Sequence, residues 1–188
     1  MSTATSRRAT AMPPDERRAA IVAAVRPLLL EHGERVTSRQ IAEAAGIAEG
    51  TIFRVFADKD ELLRAVLEVA LDAAPLERAL AAIPREGDLE QRLVAATRII
   101  QRRVVDIWEL VSALGAVGRQ ESGKPPETSS ALTALFAADA ERFRVEPAEA
   151  ARLLRAITLS MTHPMIAVEQ ASPEEIVALL LRGIGAQS

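Results

Sequence analysis

The stretch IAEAAGIAEGTIFRVF, residues 41–56, places Gly46 between two short apolar-periodic runs and holds two of the chain's four phenylalanines. Two helices that cross steeply through a tight turn need a residue able to take positive φ at the corner and a small residue where the backbones approach. Gly46 and Ala42 meet those needs. In register with Ser38, apolar residues fall at Ile41, Ala45, Ile47, Ile52 and Val55, the spacing of a helix-turn-helix. A tight helical hairpin inside a core is the plainer alternative. The complete register favours the motif, as do the capping-box patterns on both sides, Thr37-Ser38-Arg39-Gln40 and Asp58-Lys59-Asp60-Glu61.

Outward from this motif the chain reads as helix throughout. Sustained alternation and Asn-Gly or Asp-Gly turns are missing, and alanine, leucine, arginine and glutamate dominate. A first helix is expected over 14–31, with Pro27 kinking it, followed by short helices over 38–45 and 49–56. A longer helix runs from 59 to about 74, where Pro75 bends or breaks it. Turn-rich loops at 83–88 and 121–130 then separate helices over 89–119 and 131–144. Pro147 opens a helix to about residue 168, and Ser172-Pro173-Glu174-Glu175 caps a last one over 173–184. The expected fold is all-α: an N-terminal three-helix helix-turn-helix domain over 14–60 and a C-terminal helical domain over 61–188.

With 188 residues, 49% of them hydrophobic, the chain can bury a real core, and no apolar run reaches membrane-spanning length. A soluble, cytoplasmic protein is expected, without a secretory leader and, lacking cysteine, without disulfides or thiolate metal sites. The net charge of −3 argues against indiscriminate nucleic-acid coating. Residues 1–60 nevertheless hold nine basic against eight acidic side chains, so the acid lies mainly beyond them. Arg7, Arg8, Arg17 and Arg18 cluster at the front, as a solvated tail or as an arm touching phosphates.

From residue 20 to about 67 the sequence resembles the N-terminal domain of the TetR family of bacterial transcriptional regulators. The resemblance rests on a helix ending in Gly33, then Thr37, Ile41-Ala42, Ala45-Gly46, Gly50-Thr51, an aromatic at Phe53, Phe56, and Lys59 in the following cap. For the rest of the chain it implies only a helical architecture. In a helix-turn-helix the second helix enters the major groove, so Glu49, Gly50, Thr51, Phe53 and Arg54 should face DNA, with Thr37, Arg39 and Lys59 flanking the groove at helix starts. Two features depart from the family. Phe53 stands where tyrosine is usual and lacks its hydroxyl, while Ala48 and Glu49 replace a capping Ser or Thr and a frequent Lys. Glu49 should repel phosphate or accept from a cytosine amino group, making binding weak and selective.

In the C-terminal part, Leu153, Leu154 and Ile157 on one helix and Ile176, Val177, Leu180, Leu181 and Ile184 on the last form apolar faces that suggest a four-helix seam between two subunits; a core helix within one chain is the alternative. Trp108, Phe136, Phe143, Met161, His163 and Met165 are candidates for a ligand pocket, each individually also a plain core residue. Residues 118–124 mimic a phosphate-binding loop, but Pro125 replaces its Ser or Thr and Pro126 blocks the following helix. No nucleophile motif, metal-ligand spacing or cofactor signature appears, so no enzyme is expected. With the resemblance, the sequence reads as a homodimeric regulator of all-α fold, a repressor that binds a double-stranded operator; the resemblance further implies that its C-terminal helical dimerisation and effector domain releases that operator when a small-molecule effector binds. The alternative is a helical protein–protein interaction module that has lost DNA binding.

Overall fold

The structure, a computed structural model, describes residues 13–121 and 128–185. Arg7, Arg8, most of the 121–130 loop and the last three residues of the phosphate-loop mimic lie outside these residues. The described residues form ten α-helices and two single 3-10 turns, with no β-strand among them. The order is α1 (Pro14–His32), α2 (Ser38–Ala45), α3 (Glu49–Val55), α4 (Lys59–Leu71), α5 (Ala74–Ala81), α6 (Leu89–Ala113), α7 (Gly115–Glu121), α8 (Ser130–Ala137), α9 (Pro147–Ser160) and α10 (Pro173–Ile184).

Local chemistry sets most of the helix starts. Thr37 and Gln40 make the complete capping box of α2: the Thr37 hydroxyl accepts from the Gln40 N–H at 3.3 Å, and Gln40 Oε1 accepts from the Thr37 N–H at 2.9 Å. Ser172 and Glu175 do the same for α10. Asp88 and Ser129 cap α6 and α8 through single bonds to the Gln91 and Leu132 N–H groups. Pro75 breaks the chain after α4, as expected, by standing in the first turn of α5, a helix the sequence pattern did not resolve.

Three helices are shorter than their periodicity predicts. The expected helix over 89–119 divides at Leu114 into α6 and α7, with Gly115 at φ 52°. α9 ends at Ser160 instead of near residue 168, because Pro164 cannot donate to the Ser160 carbonyl and disfavours helical backbone at His163. Residues 161–167 continue as turns, with the His163 carbonyl accepting from the Ile166 and Ala167 N–H groups. Similarly, the segment expected as helix over 131–144 is α8 followed by a 3-10 turn, Ala140–Arg142.

Two apolar clusters hold the molecule. The first gathers Ile21, Val25 and Leu29 of α1, Ile41 of α2, Ile52 and Phe56 around α3, and Leu62, Val66 and Leu67 of α4. α4 lies beyond the expected division at residue 60, yet its buried side chains belong to this N-terminal cluster. So do Leu110 and Leu114, from the far end of α6. The second cluster packs α5, α6, α8, α9 and α10 around Leu93, Phe136, Leu154 and Val177. The long helix α6 thus contributes to both cores.

Candidate nucleic-acid interface and cavity

The corner between α2 and α3 is closed by backbone alone. Gly46 sits at φ 64°, ψ 33°, its N–H donating to the Glu43 carbonyl at 3.2 Å while the Ile47 N–H reaches back to Ala42 at 3.0 Å. This pair of bonds is the Schellman arrangement, which needs a left-handed residue at its centre. It turns the chain so that α3 lies across α2 with Ile52 and Phe56 buried.

The opposite face of α3 is open to solvent. Glu49, Gly50, Phe53 and Arg54 are exposed and Thr51 is half-buried, with 53% of Phe53 accessible. Arg39, on α2, is also exposed. Other expected contact residues have intramolecular partners. The Thr37 hydroxyl is held in its capping box, also donating to Gln40 Oε1 at 2.8 Å, and Lys59 Nζ donates to the Glu34 carbonyl. Glu49, expected to face phosphate or a cytosine amino group, has a partner within the chain. It accepts from the Ser38 hydroxyl, tying the first turn of α3 to that of α2. The N–H groups at the start of α3 have no side-chain cap from Ala48, and a carboxylate in the first turn complements that positive end.

Arg18 belongs to this site in a way the sequence did not indicate. Grouped there with a basic arm, it is instead part of α1, its guanidinium 4.4 Å over the Phe56 ring, 3.2 Å from Glu61 Oε1 and 3.5 Å from the Val55 carbonyl. The C-terminal end of α3 is thereby clamped from one side by a cation on an aromatic face and a bond to its last carbonyl. Glu61 completes the clamp. The Ala57 N–H donates to it at 2.7 Å, so the cap of α4 is half a capping box: Asp58 accepts from the Glu61 N–H, but the Glu61 carboxylate goes to Ala57 and Arg18. The Ala57 N–H and then the Arg18 bond hold the Glu61 carboxyl below its ordinary value. The available signal was the i, i+3 relation of Arg18 to core residue Ile21.

The model of the bacterial regulatory proteins of the tetR family matches residues 21–66, the segment that builds α1 through α4. Over this segment the chain is similar to the tetR family. The chain is similar over nearly its whole length to solved structures of transcriptional regulators. A TetR transcriptional regulator of Streptomyces coelicolor is 27% identical with TM-score 0.53, covering 91% of this chain and 99% of that one. A TetR-family regulator of Mesorhizobium loti MAFF303099 is 16% identical with TM-score 0.63, covering 93% and 100%. A transcriptional regulator of Rhodococcus sp. Rha1 is 19% identical with TM-score 0.56, covering 94% and 100%. The last two likenesses concern fold alone. No curated protein is significantly similar to the chain. That likeness is to DNA-binding regulators of transcription with a helix-turn-helix. Among the described residues no helix is long and apolar enough to cross a membrane.

A cavity of about 420 Å³ lies between the end of α4, α5, α6 and the end of α9. Trp108 and His163 both line it, their rings edge to face with centroids 4.6 Å apart. The other four pocket candidates lie elsewhere. Phe136 and Phe143 meet edge to face at 5.1 Å inside the C-terminal core, Met161 packs at the edge of that core, and Met165 is 74% exposed. Sequence reasoning missed Arg103 and Arg155 in the lining. The signal for the α6 wall was the recurrence of Ile100, Val104, Ile107, Trp108 and Val111 on one helical face.

The expected dimer seam needs correction. Leu154, Ile176, Val177, Leu180 and Ile184 are buried within the chain's own core, and Leu153, Ile157 and Leu181 pack half-buried at its edge. The apolar face of α10 is broad because two neighbours in the same chain, α6 and α9, cover it. Leu179 is the large apolar side chain of α10 that stays exposed.

Proposed function

We propose that this chain is a cytoplasmic, homodimeric repressor that holds a double-stranded operator through α3 and releases it when a small molecule fills the cavity beside Trp108. One observation supports this most directly: α6 lines the cavity from Ile100 to Val111 and buries Leu110 in the core on which α3 rests. A ligand that moves α6 therefore acts on the seat of α3 through packed side chains.

On the DNA side, α3 enters the major groove with its exposed face, Gly50 letting the backbone come close. Arg54 and Arg39 supply charge for phosphates, Thr51 and Phe53 offer contact to sugars or a thymine methyl, and Thr37 and Lys59 present helix starts to the backbone. Glu49 acts first as a strut to Ser38. Units of 14–60 and 61–188 divide the work between DNA and ligand. The dimer seam lies on the outward side of α9 and α10, where Leu153, Ile157 and Leu181 form its inner margin and Leu179 projects outward. The proposal involves no catalytic step.

The test is a mobility shift with DNA flanking the chain's own gene. Specific binding that weakens steeply with salt and is competed poorly by random duplex is expected. Failure to distinguish that DNA from random duplex at any salt concentration would favour a protein–protein module instead.

A further inference from the structure

We propose that the cavity beside Trp108 takes a neutral, largely apolar molecule bearing a hydrogen-bond acceptor, of the ketone or ester class, and that the ring N–H groups of His163 and Trp108 are the donors that recognise it. This deepens the effector reading given above and rests on it for its biological meaning, although the binding itself can be measured without DNA.

The donors and acceptors on the wall carry the argument. Nine of the twelve lining residues are aliphatic or tryptophan, and the remaining three are Arg103, Arg155 and His163. Tryptophan and arginine side chains donate and cannot accept. On His163, Nδ1 accepts from the Met165 N–H at 3.3 Å, so the neutral ring carries its proton on Nε2 and donates there. No side-chain acceptor is therefore left over among the described lining residues. Two ring donors are left over: His163 Nε2–H and the Trp108 indole N–H have no acceptor among the described residues, and their rings stand edge to face, centroids 4.6 Å apart. The guanidiniums, by contrast, are answered by the chain itself. Arg103 Nη2 donates to the Asp72 carbonyl at 2.7 Å, and Arg155 has a partner of its own. Burial pushes both below the ordinary guanidinium value, while Asp72 and Asp106 pull Arg103 back and Glu77 pulls Arg155 back. With counter-charges already supplied from outside the lining, the wall does not call for an anion.

Each class of ligand fares differently in such a site. An ammonium brings donors to a wall without side-chain acceptors and meets two like charges. A carboxylate gives up its hydration for cations whose counter-charges are already in place. A pure hydrocarbon fills the volume but shuts two ring donors away from water with their hydrogen bonds unmade. A neutral carbonyl on an aliphatic or aryl body covers the same apolar surface and accepts from those donors. The volume of about 420 Å³ falls in the range of small-molecule sites and is too small for a folded partner.

The test titrates the full chain by calorimetry with probes equal in body and different in head group: 4-butylacetophenone, the alkene in which a C=CH2 group replaces its C=O, 4-butylbenzoate and 4-butylbenzylamine. The ketone should bind saturably and about fivefold or more tighter than the alkene, with the benzoate and the amine weaker than the ketone by at least as much. His163→Phe keeps an aromatic ring beside Trp108 and removes the donor. It should weaken the ketone about fivefold and leave the alkene within about twofold. Trp108→Phe should act likewise, and a melting curve for each variant shows whether it is folded. Alkene or benzoate bound as tightly as the ketone, a loss specific to the ketone in neither variant, or no saturable binding of the ketone would each overturn the proposal. A ketone that binds as described but leaves DNA affinity unchanged would instead remove the effector reading and leave the ligand class standing.

Discussion

Arg18 satisfies three demands with one guanidinium: the face of Phe56, the carboxylate of Glu61 and the last carbonyl of α3. Because Glu61 is stabilised in its ionised form by the Ala57 N–H and by Arg18, its carboxyl lies below the ordinary 4.5. Folding therefore gains from ionised Glu61 above that ordinary value and loses the gain as pH falls through the lower folded-state value. Glu61→Gln should flatten the acid limb of a melting-temperature profile as pH falls below the ordinary 4.5. An unchanged limb would show that the clamp contributes nothing to acid stability. The charges facing outward on α3 have a different readout. Arg54→Ala should reduce the salt slope of operator binding by about one counterion, and Glu49→Lys should steepen binding to random duplex by up to about one while losing the Ser38 strut. If neither alters the slope, the exposed face of α3 does not meet the duplex.

At the scale of elements, α10 separates two ideas that the sequence ran together. Leu180 is buried against α6 and α9, whereas Leu179 projects from the same helix, 43% exposed. Leu180→Asp should unfold the C-terminal core, at a cost of several kcal/mol for an unpaired buried charge, and lower the melting temperature sharply. Leu179→Asp should leave the protomer folded and shift it towards monomer in sedimentation; a stable Leu179→Asp dimer would place the seam elsewhere. What was legible in the sequence follows the same line. The boxes at Thr37 and Ser172 and the register of residues 41–56 were readable because their partners lie within one turn of chain. The cap at Asp58 was half misread because Glu61 answers to Arg18, 43 residues away. Similarly, periodicity showed that α10 has a broad apolar face but not whose surface covers it, and Arg155 reads as a solvated helix residue until α6 and α5 close around it. The early end of α9 was readable in Pro164, but the apolar spacing beyond it masked the break.

At the scale of the whole molecule, regulation by a bound ligand needs a mechanical link from the cavity to α3, and the corner between α6 and α7 supplies a candidate. Gly115 has φ 52°, and a Cβ there would fall 1.9 Å from Glu34 Oε1. That same oxygen accepts from the Ala116 N–H at 3.1 Å, while the Glu34 carbonyl accepts from Lys59 Nζ. One residue of the turn after α1 therefore joins the end of α6, the start of α7 and the start of α4. Gly115→Ala would evict the Glu34 carboxylate and force a side chain into left-handed backbone, costing about 1–2 kcal/mol from the backbone alone. The cavity lies beyond this corner and should bind 4-butylacetophenone in the absence of DNA as the parent chain does. Linkage requires the factor by which ligand lowers operator affinity to equal the factor by which operator lowers ligand affinity. That common factor should fall towards one in Gly115→Ala, and Glu34→Ala should reproduce the loss without backbone strain. The measurement is a pair of 4-butylacetophenone titrations, with and without operator, for each variant. A coupling factor that survives both substitutions would mean that α6 acts on α3 through the apolar contacts of Leu110 and Leu114, with the polar joint at Glu34 serving only to hold the corner.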